Sequence, residues 1–165
     1  STLRLEGDFS DQIFEVISEN GGTNIRLADQ GTSRLSSSDD RFITSDTQGN
    51  RVYGDGGDDV IVSGGGDDLV VAGSGSDMVN GGTGNDKLFG GSGADTFVFN
   101  KKSGKDTIED FGGNDVIAIT NGVNRLRDID FTDTKAGLLI EFGKVDIFLE
   151  DLDRKDITLS DFDFG

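Results

Sequence analysis

An aspartate recurs every nine residues through the middle of this 165-residue chain. Each aspartate has a glycine two residues before it and an apolar residue two residues after it. The aspartates are Asp59, Asp68, Asp77, Asp86 and Asp95, the glycines Gly57, Gly66, Gly75, Gly84 and Gly93, and the apolar residues Ile61, Val70, Val79, Leu88 and Phe97. A fixed period of this kind indicates a repeat architecture, in which each unit packs on its neighbours.

The composition of the unit predicts an all-β solenoid. Six glycine-rich residues form a loop, because glycine adopts the positive-φ conformations that other residues resist. The next three residues form a short strand whose middle, apolar residue points inward. Two units make one coil, and stacked coils form two parallel sheets with the apolar ladder between them. The interior of such a β-roll is thin, which agrees with a hydrophobic content of 33%.

The regions on either side of the repeat differ from it, and we divide the chain accordingly. Residues 1–44 are predicted to be an N-terminal β segment or degenerate solenoid coils, and residues 45–99 to be the roll. Residues 100–165 are predicted to form a β-rich cap, since an uncovered sheet end invites aggregation.

Local patterns predict several elements within these flanking regions. Asn20-Gly21 lies between two apolar runs and predicts a hairpin. Upstream of the roll, Val52 and Ile43 fall in phase with the apolar ladder, and the phase ends at Arg34. Near the C-terminus, Leu138–Phe142 and Val145–Leu149 are predicted strands, with Gly143 in the turn between them.

Charge and missing residue types exclude several functions. The chain has 15 Lys and Arg against 32 Asp and Glu, a net charge of −17, and neither Cys nor His. Disulfides, thiolate nucleophiles, Cys- or His-ligated zinc and Ser-His-Asp triads are therefore excluded. A strongly acidic chain is also a poor ligand for nucleic acid or anionic membranes. No apolar run approaches the ~18 residues of a transmembrane helix.

The aspartate ladder predicts a calcium site. Stacking places Asp59, Asp77 and Asp95 in one column and Asp68 and Asp86 in another, with neighbours about 5 Å apart. Like charges at this distance disfavour each other, and residues 52–86 contain no Lys or Arg. Calcium takes 6–8 oxygen ligands from carboxylates and backbone carbonyls, so it is the expected counter-ion.

We predict a specific ligand set for several calcium ions. The strongest carboxylate pairs are Asp59/Asp77, Asp77/Asp95 and Asp68/Asp86, and Asn50/Asp68 is a weaker pair. Asp106, and with it Asp115, is a candidate ligand at the cap, whereas Asp58 and Asp67 are predicted to be solvated. Loop carbonyls complete the set, from Gly57, Gly66, Gly73, Gly75, Gly82, Gly84, Gly91 and Gly93. The alternative is a row of solvated turn aspartates.

The repeat resembles a known family. Residues 81–98 read GGTGNDKLF and GGSGADTFV, which is the G-G-x-G-x-D-x-apolar-x pattern of RTX (repeats-in-toxin) proteins. Residues 54–98 match it with departures at Asp55, Ser63 and Ala72, and the wider resemblance covers about 45–165. It implies a right-handed, calcium-loaded parallel β-roll and a protein of a Gram-negative bacterium. It also implies export by type I secretion machinery, through an uncleaved C-terminal signal.

Three hypotheses for function remain. The first is a calcium-binding module that folds outside the cell and supports type I secretion of a larger extracellular protein. The second is a calcium-dependent binding module for an acidic polysaccharide or a cell surface. The third is the C-terminal module of a secreted hydrolase, lyase or epimerase. Because the active-site motifs of such enzymes are absent from these residues, we expect any catalytic activity to lie N-terminal to Ser1.

Overall fold

The computed structural model describes the backbone of residues 13–19 and 22–28, and residues 32–45, 47–120 and 125–165 in full. The first two strands, β1 (Ile13–Glu19) and β2 (Gly22–Ala28), pair antiparallel, with Ile13 opposite Ala28. This confirms the predicted hairpin, although Asn20 and Gly21 themselves lie outside the described residues.

Fourteen further strands form two sheets, interrupted only by three short 3-10 turns among the described residues. The strands are β3 (Thr32–Arg34), β4 (Arg41–Ile43), β5 (Arg51–Tyr53), β6 (Val60–Val62), β7 (Leu69–Ser74), β8 (Met78–Asn80), β9 (Lys87–Ser92), β10 (Thr96–Asn100), β11 (Lys105–Ile108), β12 (Val116–Thr120), β13 (Asp130–Asp133), β14 (Gly137–Phe142), β15 (Val145–Glu150) and β16 (Phe162–Asp163). From β3 to β12, successive strands alternate between the two sheets.

The sheet order and register confirm the predicted parallel β-roll. One sheet runs β13-β14-β15-β11-β9-β7-β5-β3 and the other runs β16-β12-β10-β8-β6-β4. Residues 18 apart are partners in neighbouring coils, as Val52 is with Val70 and Ile61 with Val79. The apolar ladder lies between the sheets, and six of its residues are 0% exposed: Val52, Ile61, Val70, Val79, Leu88 and Phe97.

The prediction that Ile43 continues the interior ladder was wrong. The coil that precedes Ile61 has one additional residue, so Phe42 pairs with Ile61 and Ser33 with Val52, each across 19 positions. A shift of one residue turns a strand's side chains to the opposite face. Phe42 is therefore 3% exposed in the core, and Ile43 is 47% exposed.

This shift in register predicts a large loss of stability for one substitution and a small loss for the substitution next to it. Phe42→Ala should lower the free energy of unfolding by about 3 kcal/mol, since it removes a buried aromatic side chain and leaves a cavity. Ile43→Ala should change it by about 0.5 kcal/mol or less, because that side chain faces solvent. Urea denaturation of both variants in calcium measures the two effects. Similar losses in the two variants would contradict the register.

The break in the repeat after Phe99 does not end the roll. Two residues are added there, so Thr107 pairs with Lys87, and Phe97 pairs with Ile117, each across 20 positions. A tight turn absorbs them, in which the Ser103 N–H donates to the Asn100 carbonyl at 2.9 Å. The coil that follows keeps the same inward register.

Residues after 125 close the C-terminal end of the roll. Strands β14 and β15 form an antiparallel hairpin around Gly143, and β15 continues the first sheet in parallel beside β11. Strand β16 extends the second sheet beside β12. The rings of Phe131, Phe162 and Phe164 pack together at centroid distances of 5.9 Å. Along the described stretches of the chain, no helix is long and apolar enough to cross a membrane.

Candidate metal centre

The loops on one side of the roll align their aspartates in a column. The Asp59 N–H donates to Oδ1 of Asp77 at 2.7 Å, and the Asp77 N–H donates to Oδ1 of Asp95 at 2.9 Å. The column continues in both directions, since Asp40 N–H donates to Asp59 and Asp95 N–H donates to Asp115. Each carboxylate is thus bound through one oxygen to the preceding coil.

A second column runs along the loops on the other side. Here the Asn50 N–H donates to Oδ1 of Asp68 at 2.6 Å, and Asp68 N–H donates to Oδ1 of Asp86 at 2.9 Å. Asp86 N–H donates in turn to Oδ1 of Asp106, also at 2.9 Å. The structure therefore brings together each predicted pair, Asn50/Asp68 included, and extends the two columns to Asp106 and Asp115.

The second carboxylate oxygen of these residues is the unusual feature of the site. Oδ2 of Asp59, Asp77, Asp86 and Asp95 is buried and has no hydrogen-bond partner within the described residues. The four residues are only 1–2% exposed. A buried, unpaired charged oxygen costs far more free energy than a solvated one, so a bound cation or a proton at these positions would stabilise the fold.

Burial also shifts the titration of the ladder. Desolvation raises the pKa of Asp59 from 3.8 to about 7 and that of Asp106 to about 8. It raises the pKa of Asp77 and of Asp86 to about 6, and neighbouring carboxylates add to both shifts. The cause is the same throughout: the columns concentrate negative charge away from water without a basic partner.

Glycine is required where successive loops touch. Gly93 has a φ of 145°, and a Cβ on it would lie 1.6 Å from the carbonyl oxygen of Gly75. Gly91 has a φ of 96°, with Gly73 O 1.9 Å from such a Cβ. The loops therefore pack backbone on backbone and present carbonyl oxygens. Positive φ is shared by all eight predicted loop glycines: Gly57, Gly66, Gly73, Gly75, Gly82, Gly84, Gly91 and Gly93.

This packing predicts a large loss for Gly93→Ala. The new Cβ meets a backbone atom that cannot move aside alone, so we expect the free energy of unfolding to fall by about 3 kcal/mol or more. Gly143→Ala is the matched control, since Gly143 also has positive φ but nothing lies within 4 Å of its Cβ position. That variant should lose only about 1 kcal/mol from backbone strain. Urea denaturation in calcium compares the two.

The three departures from the consensus keep the loop geometry. Asp55 occupies a glycine slot with a φ of 68°, and its carboxylate pairs with Arg34 at 2.9 Å. Ser63 is buried and donates its hydroxyl to the Gly81 carbonyl at 3.0 Å. Ala72 is 0% exposed in the core. Small or polar residues therefore replace glycine at these positions without breaking the coil.

Other acidic residues hold the coils together from outside the columns. Asp58 and Asp67, which were predicted to be solvated, are exposed but accept the N–H groups of Ser76 and Asn85 in the next coil. The sequence reasoning did not single out Asp110, whose two carboxylate oxygens accept the N–H groups of Gly90 and Gly91. No sequence signal marks Asp110, because it lies outside the nine-residue phase.

The donor set indicates which cation fits. Across the described part of the chain, no three acidic side chains converge on one point, so carboxylates alone do not form a cage. The available set is a carboxylate oxygen from each coil plus backbone carbonyls of glycine loops. Calcium accepts this mixture of oxygen ligands in flexible geometry. The fold and the site together define a β-roll of metal-binding nonapeptide repeats.

Comparison with protein families agrees with this class. A family model described as "RTX calcium-binding nonapeptide repeat (4 copies)" matches residues 44–79, 71–100 and 102–126. The chain therefore belongs to the RTX calcium-binding repeat family, as the sequence resemblance predicted. No curated protein sequence matches the chain significantly.

Two solved structures are similar to this chain, one of them closely enough to share the fold. A subunit of the mannuronan C5-epimerase from Azotobacter vinelandii has 20% identity and a TM-score of 0.51, over 81% of this chain and 91% of that one. The extracellular lipase from Serratia marcescens has 18% identity and a TM-score of 0.48, over 84% of this chain. The present chain spans 22% of the length of that lipase.

Proposed function

We propose that the chain is a calcium-responsive folding module of a larger secreted protein. It is unfolded in the low calcium of the cytosol, passes through type I secretion machinery of a Gram-negative bacterium, and folds into the roll outside the cell. The observation that carries the proposal is the set of buried, unpartnered Oδ2 atoms in Asp59, Asp77, Asp86 and Asp95. These oxygens make the folded state depend on a cation.

The calcium ligands follow from the two columns. Carboxylates of Asp59, Asp77, Asp95, Asp68, Asp86 and Asp106 would hold the ions, together with the Asn50 side chain and carbonyls of the loop glycines. Asp115 joins this set, because it occupies the column position after Asp95. Calcium bound there neutralises the columns and supplies the missing partners of the buried oxygens.

Calcium binding then supplies folding free energy. Without the metal, a chain of net charge −17 repels itself and gains little from its thin core. A ligand that binds only the folded state stabilises it by about 2.7 kcal/mol per site at a hundredfold excess over its dissociation constant. Extracellular calcium is millimolar, the range that suits modules of this kind.

Three functional regions fit this role. The stacked coils from β3 to β12, residues 32–120, form the roll, and residues 125–165 form its cap, which would carry the export signal and leave the cell first. Residues before β3 would connect the roll to the rest of the protein. The epimerase subunit supports a modular role, since a fold similar to this chain occurs there as one subunit of a larger enzyme.

Circular dichroism against calcium tests the folding step. We expect a coil-like far-UV spectrum in chelator and a cooperative gain of β signal as calcium rises toward millimolar levels. Magnesium at equal concentration is the control for charge screening, because it demands octahedral geometry and retains its waters. A chain with the full β spectrum in chelator would overturn the folding proposal.

Export is tested separately in a Gram-negative host that carries a type I exporter. A reporter fused to residues 1–165 should reach the medium, and the same fusion without residues 100–165 should remain in the cell. Equal export of both fusions, or no export of either fusion by a working exporter, would overturn the secretion step. Neither result would affect the proposal that calcium drives folding.

A further inference from the structure

Three basic residues of the roll lie on the outer face of the eight-stranded sheet. Strands β3, β5, β7 and β9 contain Arg34, Arg51 and Lys87 and no acidic residue. In the opposite sheet, β4 contains one basic residue, Arg41, and β6, β8, β10 and β12 contain none. A concentration of positive charge on one flat face is notable in a protein of net charge −17.

Two aromatic rings lie between these cations. Tyr53, Val71 and Phe89 are partners across β5, β7 and β9, and all three are partly exposed. The Arg34 guanidinium lies 5.2 Å from the centre of the Tyr53 ring, and the Lys87 ammonium lies 5.5 Å from that of Phe89. We name Arg34, Arg51, Tyr53, Lys87 and Phe89 the basic–aromatic strip.

The strip has a regular spacing. Arg51 and Lys87 are both partners of Leu69, so they lie two strands apart, about 10 Å at the spacing of a β-sheet. Tyr53 and Phe89 are two strands apart in the adjacent row. The two cations and the two rings therefore form two adjacent rows that cross the strands with the same spacing.

From this arrangement we infer that the strip binds a linear, carboxylated polysaccharide. The rings of Tyr53 and Phe89 offer flat apolar surfaces to sugar rings, and Arg51 and Lys87 offer charge-assisted hydrogen bonds to carboxylates. A ligand with one carboxylate on alternate sugars matches the spacing of both rows. This binding is direct, in contrast to a calcium bridge between two acidic partners, and it goes beyond the proposed role in folding and export.

The existing ion pairs leave the cations available. Arg34 pairs with Asp55, and both side chains are exposed, at 65% and 40%. Lys87 pairs with Glu109, whose side chain is 15% exposed, but the lysine itself is 53% exposed. An exposed pair such as Arg34–Asp55 contributes little free energy, so a bound carboxylate can replace the protein's own there, and Lys87 has a solvent-facing side open to a second carboxylate. An open depression of about 460 Å³ adjoins the strip and borders the second aspartate column, since its lining includes Asp67, Asp68 and Asn85 beside Arg51 and Lys87. Its amide and carboxylate groups suit sugar hydroxyls.

Charge favours a polysaccharide over a nucleic acid. A nucleic acid carries a phosphate on every nucleotide, and binding it depends on many cations that displace counterions. The strip supplies three cations on a strongly acidic protein, which is enough for a sparsely charged glycan.

Tyr53 is the only tyrosine of the chain, and tryptophan is absent, so intrinsic fluorescence reports directly on the strip. We expect a hyaluronan decasaccharide to change Tyr53 fluorescence saturably in calcium, and isothermal titration calorimetry to give the same affinity. A neutral cello-oligosaccharide, poly-glutamate and single-stranded DNA should bind at least tenfold more weakly. Equal binding of poly-glutamate or DNA, or no saturable change, would overturn the inference.

Matched variants locate the site. Arg51→Gln should weaken hyaluronan binding about tenfold, the effect of losing one charge-assisted hydrogen bond. Arg41→Gln removes the same charge from an exposed strand position on the opposite sheet and should leave the affinity unchanged. Phe89→Ala should also weaken binding, and circular dichroism in calcium verifies that each variant is folded. Equal losses in Arg51→Gln and Arg41→Gln would place binding elsewhere and overturn the assignment.

Discussion

Replacing two ladder aspartates by asparagine is expected to change the stability of the roll in opposite directions with and without calcium. In the double variant Asp77→Asn plus Asp86→Asn, each asparagine keeps an amide oxygen. These oxygens can still accept the N–H groups of Asp59 and Asp68, respectively. In chelator, the variant should show more β signal than the parent chain, since burial and neighbouring carboxylates both oppose charge at these two positions. Far-UV circular dichroism in chelator measures this gain.

In calcium the order of the two chains should reverse. The substitutions remove one carboxylate from each predicted pair that includes Asp77 or Asp86, so the variant should require at least about tenfold more calcium to fold. Asp128→Asn plus Asp130→Asn is the control, because it removes the same net charge from exposed positions outside the columns. A double variant less folded than the parent in both conditions would show that the carboxylates are structural acceptors rather than calcium ligands.

The fold was predictable because one period encodes loop, strand and interior at once. Glycine two residues before each aspartate and an apolar residue two residues after it leave a single register, and Ile61, Val70 and Phe97 occupy the interior as predicted. The columns follow directly, since any residue in a fixed register lies above its equivalent in the next coil. The antiparallel strands around Gly143 were also predictable, from two apolar runs and one turn residue.

The register of coils that are longer than 18 residues could not be predicted from the nine-residue period. The added residue before Asp59 turns Phe42 inward and Ile43 outward, and pattern matching alone assigns the opposite. The two residues added before Asp106 are absorbed in a turn, so a sequence that looks interrupted forms a continuous column. In both places the requirement to stack each strand on its neighbour overrides the local period.

The sequence also does not show that the two carboxylate oxygens of each aspartate have different roles. Oδ1 accepts an N–H from the preceding coil, which fixes the side chain, and this leaves Oδ2 of Asp59 or Asp95 buried without a partner. Composition identifies a surplus of negative charge. Only the stacking of the coils shows that part of this charge is buried away from water, where a bound cation or a proton must neutralise it.

Protons should replace calcium in part, and this predicts a pH dependence with a defined sign. In the unfolded chain these carboxyl groups have the ordinary pKa of 3.8, whereas in the roll the pKa of Asp59 is raised to about 7 and that of Asp106 to about 8. The folded chain therefore binds more protons than the unfolded chain between these values. Its stability must increase as the pH falls from about 8 toward 4, and decrease as the pH rises through the same window.

Without calcium, we expect β signal to increase when the pH is lowered from 8 to 5 at constant ionic strength. In calcium the sign should reverse, because protons compete with the metal for the same carboxylates. Asp106→Asn should flatten both dependences, whereas the exposed Asp130→Asn should leave them unchanged. Loss of β signal on acidification in chelator would contradict the raised pKa values. If the β signal changes with pH in the same direction in chelator and in calcium, protons and calcium bind to different groups. If it changes in opposite directions, protons and calcium bind to the same buried carboxylates, and the charge of these carboxylates controls folding.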